Sequence, residues 1–177
     1  MKKIFFLLIS TFILVGCNMM NTPTKKVEQL LEKYQMLSDD VLNDLDYIID
    51  GVELLQEQKE TYKELMKRQY KELNYIIKEE RIDGDFANVT VEIEVYDYGK
   101  AIMNADSYLT SHQEEFLNED ESINRDKFID YKIEQMQDVK DRIKYTLDLS
   151  LTKVDDEWHI DDLTEIDRQK IHGIYSF

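Results

Sequence analysis

The sequence predicts an α+β domain: N-terminal helices packed on an antiparallel sheet of two hairpins, with two further helices inserted between the hairpins. Three observations carry this expectation. Residues 88–97 alternate strictly, with Val89, Val91, Ile93 and Val95 on one face and Thr90, Glu92, Glu94 and Tyr96 on the other, the pattern of a strand with one wet face. Ile143, Tyr145, Leu147, Leu149 and Leu151 repeat the alternation, which resumes after Asp155-Asp156 with Trp158 and Ile160. Before and between these stretches the apolar residues recur at helical spacing.

Residues 1–16 read as a secretory leader, with Lys2 and Lys3 followed by a run of Ile, Phe and Leu and then the small Gly16. The apolar run is about a dozen residues, short of the roughly 20 a membrane span needs, so the leader is expected to be removed. Leu14, Val15, Gly16 and Cys17 resemble the lipobox of bacterial lipoprotein precursors. That resemblance implies cleavage between Gly16 and Cys17, acylation of the Cys17 sulfur, and a lipid-anchored position on the extracytoplasmic face of the cell membrane. An ordinary secretory signal with an incidental cysteine is the plainer alternative. Cys17 is the only cysteine, so the remaining chain forms no disulfide. Residues 17–21 form a short tether and residues 22–177 a single domain, with four tether residues spanning roughly 14 Å at most.

Thr22-Pro23 opens the first helix as N-cap and first helical residue, and Val27, Leu30, Leu31, Tyr34 and Leu37 form its apolar face. Ser38 with Asp39 and Asp40 starts a second helix, carrying Val41, Leu42, Leu45, Ile48, Ile49 and Val52 and weakened or ended by Gly51. A third runs from about Gln56 to Gln69. These stripes predict core faces. Asp83-Gly84-Asp85 is turn chemistry, which makes residues 74–82 a partner strand, although Tyr75, Ile76 and Ile77 also suit an extension of the preceding helix.

Two helices are expected over residues 98–117 and 124–142. The first carries one continuous face from Tyr98 through Tyr108 and His112 to Phe116; the second is capped by Asn124 and bears Phe128, Ile129, Ile133, Met136 and Val139. In the last hairpin Asp156 stands where a two-residue turn favours Gly, which predicts a widened loop. Thr164 caps a terminal helix whose Gly173 suits the left-handed closing position, with Ile174 packing back.

With 22 basic and 38 acidic residues the net charge is −16, so nucleic acid is excluded as a partner and the exterior is solvated. Lys25 and Lys26 form the one basic spot near the tether, which either eases approach to anionic headgroups or is simply solvated.

The closing hairpin Lys153-Val154-Asp155-Asp156-Glu157-Trp158-His159-Ile160, the Thr22-Pro23 opening and the segment DRQKIHGIY over residues 167–175 together resemble small bacterial lipoproteins with a nuclear-transport-factor-2-like or cystatin-like domain. The resemblance implies a curved antiparallel sheet wrapped on helices, often around a pocket, and implies no reaction.

Tyr34, Tyr145 and Trp158 are the candidate pocket lining. Enzymes of such folds set an Asp base beside Tyr donors in an apolar pocket, but no Asp falls on an inward position of either clear strand, and no catalytic residue is assigned. His112 sits on an apolar helix face, His159 points to solvent, and His172 lies in a last turn that suits a cation; the three share no ligand spacing, so no metal is expected. Asn118, Asp120, Ser122, Asn124 and Asp126 imitate a calcium loop but place Ile123 and Ile129 where Gly and Glu are needed. The expected function is therefore a membrane-anchored lipoprotein that binds a small apolar ligand or an envelope protein, with no cofactor beyond the covalent lipid on Cys17. An isomerase or dehydratase type of pocket enzyme is the alternative.

Overall fold

The structure is a computed structural model in which residues 21–176 are described; the leader, Gly16 and Cys17 lie outside them. In α1 (Pro23–Gln35) the Thr22 side chain accepts the Lys25 N–H, and Pro23 takes the first turn, where its missing N–H leaves nothing unpaired. Val27, Leu31 and Tyr34 are buried, whereas Leu37 lies beyond the helix in the left-handed region, φ 52°. Its N–H donates to the Tyr34 carbonyl and that of Ser38 to Lys33, so a leucine closes α1 where glycine is usual.

α2 (Asp39–Asp50) buries Val41, Leu45 and Ile49, and α3 (Gln56–Lys71) buries Leu65, Met66 and Tyr70 together with the glutamines Gln58 and Gln69. The four strands β1 (Asn74–Asp83), β2 (Phe86–Tyr96), β3 (Arg142–Val154) and β4 (Glu157–Ile160) form one antiparallel sheet in the order β1-β2-β3-β4. Residues 74–82 are thus strand, with Tyr75 opposite Ile93 and Ile77 opposite Val91. A register shift between Ile77 and Glu79, with charged Lys78, Glu79, Glu80 and Arg81, keeps this edge from recruiting another strand.

Across β2 and β3, Val89 faces Leu149, Val91 faces Leu147 and Ile93 faces Tyr145, all buried against the helices. The other face is polar, with Thr90 donating to Asp148 at 2.6 Å and Lys144 to Glu92 at 3.1 Å. Tyr96 departs from the predicted outward position: it is buried at the end of β2, because the Arg68 and Arg142 guanidinium groups lie 4.0 and 4.7 Å from its ring centroid. The Asp155-Asp156 loop is not widened. Val154 pairs directly with Glu157, and both aspartates take positive φ, 50° and 65°, the primed turn that matches strand twist and that Asp tolerates.

α4 (Tyr98–Ser111) ends earlier than the predicted continuous face. His112 leaves helical geometry at φ −136°, and a 3-10 turn over Gln113–Phe116 swings Phe116 into a satellite cluster with Ala105 and Phe128. α5 (Arg125–Gln137) opens on Asn124, whose side chain accepts the Lys127 N–H, and stops short of residue 142, which already belongs to β3. α6 (Glu165–His172) begins with a Thr164–Asp167 capping box and ends at Gly173, φ 70°, where the Ile174 N–H donates to the Gln169 carbonyl.

One hydrophobic core joins α1, α2, α3 and α6 to the inner sheet face, with the Tyr34 and Tyr70 rings edge-on at 5.0 Å. The N-terminal end of the described chain is fixed at the last turn: Asn21 donates to the Asp156 carbonyl at 2.7 Å and accepts the Trp158 N–H at 3.1 Å. Among the described residues no helix is long and apolar enough to cross a membrane.

Candidate functional site: an apolar groove among four helices

The three candidate lining residues are not gathered around a cavity. Tyr145 and Trp158 are 3% and 6% exposed in the main core. The Tyr145 hydroxyl donates to the Tyr175 carbonyl at 2.6 Å, and burial pushes it up to about 12. Tyr34 borders a shallow hollow of about 200 Å³ beside Asp40, Asp44 and Arg168, its hydroxyl raised by burial.

Of the histidines, His159 is exposed, and His112 stacks on Tyr108 with ring centroids 4.0 Å apart. His172 is not the helix-end cation its position suggested. It is 8% exposed, packed 5.7 Å from the Tyr70 ring, and burial lowers it to about 4, which keeps the imidazole neutral. In the calcium-like loop the Asp120 carboxylate accepts from the Ser122 N–H and hydroxyl, and Asn118 donates to Ser122. Among the described residues no group of three acidic, His or Cys side chains could hold a metal ion. Lys25 is engaged by its own helix, 3.1 Å from Glu28 and 3.7 Å from Glu32, which favours a solvated surface over a headgroup contact.

An apolar groove of about 300 Å³ lies on the helical side. Ile48, Ile49 and Val52 enter from the end of α2, and Leu54 and Tyr62 from the loop and first turns of α3. Ile102 of α4 and Ile129, Ile133 and Met136 of α5 complete the apolar wall. Only Arg125 and Lys132 are charged among the eleven lining residues, and none is acidic.

Helical periodicity explains why these side chains are left over. Ile49 joins the core stripe of α2 with Val41 and Leu45, but Ile48 is turned about 100° away and cannot share it. Ile48 and Val52 remain 38% and 45% exposed, and Tyr47 and Leu55 add to the exposed apolar surface of the same segment. Gln58 fixes the groove's geometry: its Oε1 accepts the Leu55 N–H at 2.9 Å, while its Nε2 donates to the Asp126 carbonyl at 3.1 Å and the Asp130 carboxylate at 2.8 Å. A buried amide thus ties the start of α3 to the start of α5. Above it, Arg125 pairs with Glu53 at 2.5 Å, and Lys132 pairs with Asp106 at 2.6 Å while lying 4.7 Å from the Phe128 ring.

Such a surface takes up apolar matter and offers cations at its edge; its lining supplies no carboxylate to act as an acid or base. Sequence reading assigns Ile48, Ile49, Val52, Ile129, Ile133 and Met136 to core stripes and so misses the groove. The available signal was the adjacency of Ile48 with Ile49 and the apolar surplus Val52, Leu54 and Leu55 past Gly51. The chain matches no family model, no curated protein and no solved structure.

Proposed function

We propose that the chain is a membrane-anchored extracytoplasmic lipoprotein, acylated on Cys17, whose α+β domain binds a small apolar ligand in the groove between α2, α3, α4 and α5. The groove carries the binding half of this reading, because exposing Ile48 and Val52 to water has no purpose in packing the core. The Leu14-Val15-Gly16-Cys17 resemblance carries the anchoring half. Three residues separate Cys17 from Asn21, so the lipid would hold the β3–β4 turn close to the bilayer. The nuclear-transport-factor-2-like or cystatin-like assignment is supported by the two hairpins with helices between them and by the helices lying on one sheet face.

The two halves are tested separately. Metabolic labelling with a fatty acid marks the native chain and not Cys17→Ala; equal incorporation removes the anchor. N-phenyl-1-naphthylamine, a neutral apolar dye, binds residues 18–177 saturably and loses at least fivefold in affinity with Val52→Asp, a change at a half-exposed position that leaves the core intact. Binding indifferent to that substitution removes the groove as the site.

A further inference from the structure

We infer that the groove's ligand is a single-chain amphiphile with an anionic head, its chain laid along α5 and its head held by Arg125 and Lys132. This rests on the groove being the binding site and specifies the class of compound it takes. The protein is strongly acidic, net charge −16, yet the groove lining contains two cations and no acid. A groove shaped only to hide apolar surface has no reason to select that charge, whereas an acyl chain ending in a carboxylate or phosphate requires both parts.

Both cations are accessible to such a head. Arg125 is held by Glu53, whose side chain is 86% exposed, and Lys132 by Asp106, 51% exposed. Exposed ion pairs contribute little, so an incoming anion exchanges for Glu53 or Asp106 at small cost. Arg125 and Lys132 lie seven residues apart on α5, two turns along one face, with Ile129 between them and Ile133 and Met136 following in the lining. The groove side of α5 thus presents both cations toward its N-terminal half and continues into apolar side chains beyond them.

The test uses residues 18–177, which include the whole described core, and competition against bound N-phenyl-1-naphthylamine. Decanoate, 1-decanol and decyltrimethylammonium share one chain length and differ in head charge; all are used below their aggregation concentrations. Decanoate is expected to displace the dye about tenfold more tightly than 1-decanol, with decyltrimethylammonium weakest despite the protein's net negative charge. The double variant Arg125→Gln with Lys132→Gln abolishes the preference for decanoate over 1-decanol. Equal displacement by decanoate and 1-decanol, or a preference for the cation, overturns the inference while the groove stands as an apolar site. Absence of saturable dye binding overturns the groove reading itself. Given a preference for decanoate over 1-decanol, weaker displacement by decyl phosphate restricts the head to a carboxylate and equal displacement admits a phosphate as well; either result supports the inference.

Discussion

Gln69 pairs with both backbone groups of Tyr96: its Oε1 accepts the Tyr96 N–H at 2.8 Å and its Nε2 donates to the Tyr96 carbonyl at 3.2 Å. The amide is fully buried and imitates a strand residue where β2 runs out of partners on that side. Helix α3 is thereby docked on the sheet by hydrogen bonds as well as by Leu65, Met66 and Tyr70.

Replacing Gln69 by Leu keeps the volume and strands two buried backbone groups. Each unpaired group costs about 1–3 kcal/mol, so a loss of about 2–6 kcal/mol is expected, read as a drop in Tm of roughly 4–24 °C. Gln69→Glu should cost at least as much as Leu at pH 7, because it buries a carboxylate and sets one of its oxygens against the Tyr96 carbonyl.

The same site explains Gly173. Its φ of 70° favours glycine, and an added Cβ would collide with the Gln69 amide and the Tyr96 carbonyl. Gly173→Ala is therefore expected to destabilise by more than about 2 kcal/mol. Combining it with Gln69→Ala should recover little, because the Tyr96 carbonyl is backbone and cannot move aside. Denaturant unfolding of the two single variants and the double decides this.

At the β3–β4 turn the strain is local and removable. Asp156 holds φ 65°, and its ion pair with Lys153, 3.0 Å, involves a carboxylate 96% exposed. Asp156→Gly should raise stability by about 0.5–1 kcal/mol, or Tm by about 1–4 °C, since the relieved strain exceeds what an exposed pair contributes. The Asp156 carbonyl that receives Asn21 is retained in the variant.

How much of this was legible depended on whether one residue's neighbours were near it in the chain. Val89 to Val95 and Tyr145 to Leu151 declared their strands because a period of two is a local property, and Thr22, Asn124 and Thr164 declared their caps for the same reason. Tyr96 kept the outward parity of its strand but was buried by Arg68 and Arg142, which come from 28 residues before and 46 after it. The groove is built from residues 48–136, so the isoleucines and Met136 that line it look like ordinary core taken alone. Tyr145 and Trp158 stand out by size and inward parity and Tyr34 by its place on the apolar face of the first helix, and such patterns give the face of an element but not whether a hollow or a packed side chain meets it.

Gln58 offers a test of how the groove is held. Gln58→Leu removes the donor to Asp126 and Asp130 and the acceptor for Leu55 in a residue 3% exposed. A cost of about 1–3 kcal/mol is expected. Because the lost bonds join α3 to α5, hydrogen exchange should accelerate first in residues 55–60 and 125–130, leaving β2 and β3 protected until global unfolding.

His172 gives the fold a defined acid sensitivity. Its folded value, about 4, lies below the ordinary 6.5 because burial disfavours the cation; Glu165 raises it and Arg168 lowers it. The unfolded chain therefore binds a proton on this residue at a pH where the folded chain does not. Stability from His172 is complete above about pH 6.5 and is lost as pH falls toward 4, the direction expected of a depressed value. Over the two units from pH 7.5 to 5.5, where carboxylates in either state change little, the loss is roughly 1.3 kcal/mol. His172→Phe preserves the ring against Tyr70, 5.7 Å away, and removes the proton. Urea unfolding at the two pH values should show native stability falling by that amount more than the variant's, the subtraction cancelling every other titrating group. Parallel pH dependence in the two proteins would mean that the imidazole titrates alike in both states.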